Sequence, residues 1–537
     1  MSLKEDIHVQ ISSIDKSESG GIIMSMRPTF MGFEASKSAI FASQKGLDVV
    51  GHNLANMSTE GYTRQRTDQV AVANYAYKSR ISSTSYNHIG MGTSVEGISQ
   101  TRDERLDTAF RNSYSDTSYY SKSYDMFSEL ETIISEIDAG TDGDGYGISW
   151  GLKQMFTSLE SLSNNVNVAA NTTLFADSVN NITSLLNKTA ETLNEACDSY
   201  KGLLQAEVKD VNTIIDEISI LNKQITEIMS GNGYSEQYGP NELFDKRNML
   251  LDELSAFGKI EVKAQTDGSV NVKLNNHECI NGKKTDRIIY EEGNDGTVTV
   301  AWKSNCEAVD TDNGLLKAAV EIINGRGLNS EGKSGSDLRG FKYYEETLDA
   351  FAVQLAEILN NTVPVLDTDG NETGYYKKLV GECEYDSDGN QVIYNNRMVS
   401  AANITISNEL YEDPTYILPD KGSSDNSYFL SMLGKLMNDK HTITNGVEKY
   451  EGTLQSFISN YSGKIGADVH FAQSKYESCE KYSDELQNNR ENITGVSESE
   501  ETVSMLTHNR AFQAAAKMMT TMDELLDVII NQIGALG

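Results

Sequence analysis

The sequence predicts a mainly α-helical chain with β insertions, an α+β architecture drawn out as an elongated multi-domain rod. Three observations predict it. Proline supplies only 5 of 537 residues, about 1% against a usual share of about 5%, and proline is what breaks helix interiors. Apolar residues recur in heptads at both ends of the chain, the seam pattern of paired helices. At residues 269–274 and 297–302 the apolar period falls to two, the period of a half-buried strand. At roughly 150 residues per domain, the length allows about two to four domains with real cores.

Residues 1–25 are polar and carry no pattern. The expected start of the chain proper is Met24 or Met26, just downstream of Gly20-Gly21, a pair that a translated ribosome-binding site would encode. N-terminal peptides beginning at residue 1 or 2 would refute that start. Phe33, Ile40, Leu47 and Leu54 then recur every seven residues, with Ser36, Ser43 and Val50 three later in each heptad. This predicts an amphipathic helix with one large and one small stripe. It ends in Asn53-Leu-Ala-Asn56-Met-Ser-Thr59-Glu-Gly61-Tyr62, where Asn, Ser and Gly supply side-chain hydrogen bonds and positive φ for an ordered turn.

Residues 105–137 read as helix, 138–147 as a Gly/Asp loop and 150–162 as a short helix. A long amphipathic run follows over 174–229, with a seam of Leu186, Leu193, Tyr200, Leu204, Val211, Ile218 and Ile225, and then a helix over 241–255. Period-two runs at 269–274 and 297–302, each preceded by an Asp-Gly turn, predict a small antiparallel β insertion. Helices return at 314–324, 342–363, 425–437 and 451–489, around a loop-rich β excursion at 364–400. At the C-terminus Met505, Phe512, Met519, Leu526 and Ile533 form one heptad series. His508, Ala515, Met522, Ile529 and Leu536 form the matching one. Ser497 and Glu500 stand at capping-box spacing just before them. A seam needs a partner, so the two terminal helices are expected to pair with each other. The expected organisation is a terminal coiled-coil domain of 26–104 with 497–537, a helical rod domain of 105–256 with 313–363 and 401–496, and a β-rich outer insertion of 257–312 with 364–400.

Composition excludes several functions. With 79 acidic against 45 basic residues and a formal charge of −34, the chain repels nucleic acid and anionic membrane surfaces, which bind clustered Lys and Arg. No run of about 18 apolar residues predicts a membrane span. Cys197, Cys279, Cys306, Cys383 and Cys479 are scattered, without a CxxC pair or zinc spacing, and read as idle thiols. Asp367-Thr-Asp369-Gly370-Asn371 and Asp386-Ser-Asp388-Gly389-Asn390 invite a calcium reading. An EF-hand loop needs Gly at position six and Glu at twelve; here Gly stands at four, with Lys378 and Arg397 at twelve, so polar turns are expected, as at Asp142. No P-loop, HExxH or GxSxG is present. No catalytic residue, cofactor or metal site is therefore expected, and His508 is expected to be a packed seam residue.

The run from Leu47 through Asn53-Leu54-Ala55-Asn56, Thr59, Gly61-Tyr62 and Thr-Arg64-Gln65 resembles the N-terminal signature of bacterial flagellar rod, hook and hook-associated proteins. The segments Asp245-Lys-Arg247, Ala401-Ala402-Asn403-Ile404 with Asp413-Pro414, and Asn488 to Lys517 resemble the hook-associated branch of that family. The resemblance implies a non-enzymatic structural protein at the junction of hook and filament, exported by the flagellar type III apparatus without a cleaved signal. It implies as partners further copies of the chain, the hook protein, hook-associated protein 3 and an export chaperone on the C-terminal helix. The implied assembly residues are Phe33, Ile40, Leu47, Leu54, Asn53, Asn56, Thr59, Gly61, Tyr62, Arg64, Met505, Phe512, Ala515, Met519, Met522, Leu526, Ile529 and Ile533. The other readings are a hook or rod subunit, and a secreted enzyme or adhesin carried on flagellar-type ends, for which 257–400 has the room.

Overall fold

The computed structural model describes residues 29–72, 92–134, 147–231, 238–309, 313–327, 337–385, 391–394, 399–419 and 425–533. The extension at 1–25 and the Asp142 and Asp386 turns lie outside them. Helix α1 (Thr29–Ala55) is followed by the antiparallel strands β1 (Gln65–Ala71) and β2 (Thr93–Gln100). Helices α2 (Glu104–Ile134), α3 (Ile148–Asn164), α4 (Ala169–Met229) and α5 (Asn241–Phe257) come next. The β insertion is a four-stranded antiparallel sheet of β3 (Ile260–Ala264), β4 (Val270–Leu274), β5 (His277–Asn281) and β6 (Lys284–Thr285), in that order. A two-stranded sheet of β7 (Ile288–Glu292) and β8 (Val298–Trp302) completes it.

Helices α6 (Leu315–Asn324) and α7 (Phe341–Asn360) lead to β9 (Pro364–Leu366), β10 (Glu372–Tyr376), β11 (Val380–Tyr385), β12 (Gln391–Tyr394) and β13 (Ile404–Ile406). There β10 pairs with β9, and β11 lies between β12 and β13. Then come α8 (Asn408–Glu412), α9 (Ser427–Met437), the hairpin β14 (His441–Thr444) and β15 (Lys449–Gly452), α10 (Leu454–Thr494) and α11 (Glu498–Asp527). A π-helical turn, Val528–Ile533, follows α11. The chain is mainly α with small antiparallel β insertions, as its periodicity predicts.

The β14–β15 hairpin corrects one boundary. The helix expected from 451 starts at Leu454, because Lys449–Gly452 pairs with His441–Thr444. The signal for it stands in the sequence: Asn445-Gly446 between the strands, with Gly446 at φ +84°, is a hairpin turn pair.

The described chain divides into two compact units. The first comprises Met1–Ser58, Arg64–Gln100 and Val496–Gly537; the second comprises Thr59–Thr63 and Thr101–Gly495. The first unit is built on α1, α11 and the β1–β2 pair. The second holds two apolar cores along the 61-residue α4, a helix of roughly 90 Å at 1.5 Å per residue. All seven seam residues expected on α4, from Leu186 to Ile225, are buried. Its N-terminal half packs with α3, α7 and β13, and α9 packs on α3 and α7 in the same core, around Leu152, Phe175, Phe351 and Phe429. Its C-terminal half packs with α2, α5, α6 and the β insertion around Leu130, Ile215, Leu254 and Val272.

One device recurs where helices meet strands. Asn212, Asn222, Asn324 and Asn360 each bond both the N–H and the C=O of one strand residue. These are Ile288, Val270, Val298 and Val380, all at 2.7–3.1 Å. A carboxamide offers one donor side and one acceptor, so it completes a backbone pair as another strand would.

Candidate assembly site: the paired terminal helices and the loop after the first helix

Within the first unit α1 and α11 run antiparallel in one register. A Cβ added to Gly32 would fall 2.6 Å from Cε of Met522, and one on Gly46 would fall 2.5 Å from the His508 ring. Asn53 bonds Glu501 at 3.1 Å. Fourteen positions separate the two glycines, and fourteen separate His508 from Met522. Seven then separate Gly46 from Asn53, as seven separate Glu501 from His508.

The seam therefore uses the small stripe of α1. Ser36, Ser43 and Val50 are buried, while Phe33, Ile40, Leu47 and Leu54 are only half-buried and Phe41 is 60% exposed. The sequence reading assigned the larger role to the large stripe. Close helix approach favours small residues wherever the partner brings bulk, and here α11 brings His508 and Met522. On α11 only Glu501 and Ala515 are buried among the described side chains. Met519, Met522 and Leu526 are half-buried. Met505 and Phe512, expected in the seam, are exposed, as are Val503, Leu506, Met518 and Leu525. The side chains of Ile529 and Ile533 lie outside the described ones. Ser497 makes no side-chain cap bond, which corrects the capping-box reading. The Glu500 carboxylate is instead bonded by Arg64 at 2.7 Å.

The loop after α1 is closed by its own side chains. Asn53 Nδ2 donates to the Gln65 carbonyl at 2.9 Å, and Asn53 Oδ1 accepts from Gln65 N–H at 3.0 Å. This is the helix-to-strand device again, here returning the chain to β1. Asn56 Nδ2 donates to the His52 carbonyl at 3.0 Å and turns the end of α1. Tyr62 N–H donates to the Thr59 carbonyl at 3.2 Å. Glu501, 2% exposed, gathers the rest: Oε1 accepts from Arg64 Nε at 2.7 Å and Oε2 from Asn53 Nδ2. Sequence reasoning left Gln65 out of the assembly residues and missed the role of Glu501, although Glu501 stands one heptad before His508 in the seam series.

Within the second unit, Thr59–Thr63 joins a buried ionic cluster. Gly61 has φ +72°, and a Cβ there would strike the Met249 thioether, so only glycine fits the turn. Thr63 N–H donates to Asp245 Oδ2 at 3.2 Å. Arg102 bonds Asp107 twice, at 2.5 and 3.1 Å. Asp252 accepts from Arg111 Nε and Arg490 Nη1, each at 2.6 Å, and the Arg490 guanidinium lies 4.1 Å from the Phe110 ring centroid. Arg247 donates to the Gly268 carbonyl at 2.7 Å and to Asn222 Oδ1 at 3.2 Å. Burial, with Arg111 and Arg102 nearby, pushes its guanidinium down to about 10.

None of these groups forms a nucleophile–base pair. Cys197 and Cys279 are buried, and desolvation pushes their thiols up to about 11 and about 12, the inert range. Asp367 spends its carboxylate on the N–H groups of Asp369 and Asn371, at 2.9 and 2.8 Å, an Asx turn. Among the described residues no helix is long and apolar enough to cross a membrane.

Comparisons with known proteins agree with this architecture. A family model for the flagellar hook-associated protein FlgK helical domain matches residues 129–374. One for the flagellar basal body rod FlgEFG protein C-terminal region matches 488–533. The flagellar hook-associated protein 1 of Bacillus subtilis (strain 168) is 26% identical over 537 residues, covering 95% of this chain and 100% of the relative. That of Salmonella typhimurium is 24% identical over 444 residues, 79% of this chain and 74% of the relative. That of Escherichia coli (strain K12) is 20% identical over 565 residues, 92% of this chain and 98% of the relative. The fold is shared with the flagellar hook junction protein FlgK from Burkholderia pseudomallei: TM-score 0.54, 11% identity, 72% of this chain and 100% of that one.

Proposed function

The chain belongs to the hook-associated protein 1 family of flagellar axial proteins, and from that premise we propose how its paired ends serve a hook–filament junction. It is a structural junction protein of the bacterial flagellum, not an enzyme. The observation that carries this is the match to the flagellar hook-associated protein 1 of Bacillus subtilis over that relative's whole length. Copies of the chain form one layer through the first unit, between the hook protein and hook-associated protein 3. Support comes from the apolar surface that α1, α11 and the turn after it leave uncovered: Phe41, Val503, Met505, Leu506, Phe512, Met518, Leu525 and Ile530 are all exposed. A lone soluble chain rarely keeps so many large apolar side chains in water.

Electron microscopy of cells lacking the gene, with flagellin assayed in the medium, tests this. Complete hooks without filaments and flagellin lost to the medium are expected. Missing hooks would move the protein inward to the rod or hook. Normal filaments would sink the junction reading and turn attention to 257–400 as the seat of an enzyme or adhesin.

The chain reaches its place outside the cell through the flagellar type III apparatus, without a cleaved signal, and its C-terminal helix travels under an export chaperone. The apolar residues of α11 are the motive: an amphipathic helix with its face in a groove is a common mode of recognition. A chain truncated after Glu498 loses that helix and is expected to lose chaperone binding. Equal affinity for truncated and full chains, by calorimetry, would refute this.

A further inference from the structure

We propose that Glu501 sets the register of the terminal helix pair. The seam itself selects one register weakly. Its α1 side is small and repeats in sevens and fourteens, with Ser36, Ser43 and Val50 in one series and Gly32 and Gly46 fourteen apart. Its α11 side offers His508, Ala515 and Met522, also seven apart, and of these only Ala515 is buried. A slide of one heptad would lay Ala515 over Gly46 in place of His508. Small still meets side chain, and little apolar contact is lost.

Glu501 does not survive that slide. Its carboxylate is 2% exposed and takes Asn53 Nδ2 at 3.1 Å and Arg64 Nε at 2.7 Å. Both donors are placed by α1 and the loop rather than by α11, since Asn53 also holds the N–H and C=O of Gln65. They form a fixed receptor for one carboxylate. Slid by seven, α11 would carry that carboxylate about 10 Å along the axis, past the end of α1 and away from both donors, and Arg64 would lose Glu500 as well. Glu500 is 64% exposed at its side chain, so its pair with Arg64 adds little. The buried member discriminates, as a single buried polar residue does in a coiled coil, where specificity is gained at some cost in stability.

Disulfide trapping reads the register on the isolated full-length chain, so its outcome is separate from whether the chain builds a junction. Cys306 and Cys479, the two described cysteines that are not buried, are first replaced by serine. The pair G46C/H508C reports the observed register, and G46C/A515C reports the register slid by one heptad. With Glu501 intact, the first pair is expected to cross-link and the second to yield about tenfold less product. Glu501→Ala is expected to raise the slid product about tenfold. Glu501→Gln keeps the bulk of the side chain and one acceptor oxygen but sets an NH2 against the other donor, and is expected to raise the slid product less than alanine does, which separates the hydrogen bonds from the bulk of the side chain. Far-UV circular dichroism confirms that each variant keeps its helices. The proposal is overturned if Glu501→Ala still yields only the 46–508 product, or if both products form equally with Glu501 in place.

Discussion

Replacing Asp252 by alanine is expected to cost about 3–5 kcal/mol of unfolding stability, the range for breaking a buried ion pair from one side. Asp252 is the shared acceptor of Arg111 and Arg490, each at 2.6 Å, and their side chains are 7% and 14% exposed. Alanine removes one charge and leaves two guanidinium groups in a low-dielectric site beside Arg247, which has already been pushed down by burial and by Arg111. Arg490 keeps a longer approach to Asp107, at 3.7 Å, and its contact with the Phe110 ring. Asparagine preserves the shape and some hydrogen bonding and is expected to cost less. Urea unfolding followed by circular dichroism measures both. The midpoint should fall with an unchanged slope. An unchanged midpoint for Asp252→Ala would mean that the cluster contributes no net stability.

Replacing Gly46 by leucine is expected to abolish filament growth while leaving the second unit folded. The methylene that leucine adds at Cβ already falls 2.5 Å from the His508 ring, and three further carbons must be housed in a seam built from small residues. The helices can only separate, which also withdraws Glu501 from Asn53 and Arg64. Alanine at the same position is the finer test. It should gain about 0.5–1 kcal/mol from helix propensity and lose part of it as the ring turns aside, for a small net effect. Motility, electron microscopy and flagellin in the medium report the assembly, and circular dichroism reports the fold. Filaments of normal length on Gly46→Leu cells would show that close approach at this point is dispensable.

The separate fates of α4 and α1 show how far periodicity reaches. On α4 the seam was legible residue by residue, because large apolar side chains at heptad spacing have one way to be buried when cores lie along a helix. On α1 the same reasoning chose Phe33, Ile40, Leu47 and Leu54, and the structure turns the smaller Ser36, Ser43 and Val50 inward. Hydropathy ranks which stripe avoids water in isolation. It does not know that the partner arrives with His508 and Met522 and needs glycine opposite them. Helices that are also meant to be covered by other molecules can leave their large stripe outside.

The sequence by itself determined the helical class, the strands within 260–302 and 364–394, the pairing of the two ends and, through the Asn53 to Arg64 signature, the resemblance to flagellar axial proteins. Each of these is written in local spacing, in composition or in a contiguous motif, and each survives without knowledge of what lies across a gap. Only the tertiary structure decided which stripe of α1 faces inward, that Glu501 closes on Asn53 and Arg64 from more than four hundred residues away, and that Asp252 joins Arg111 to Arg490. Charged residues have no period that marks their partner. Their pairing is set by where the backbone brings them and by the cost of leaving any one of them buried alone.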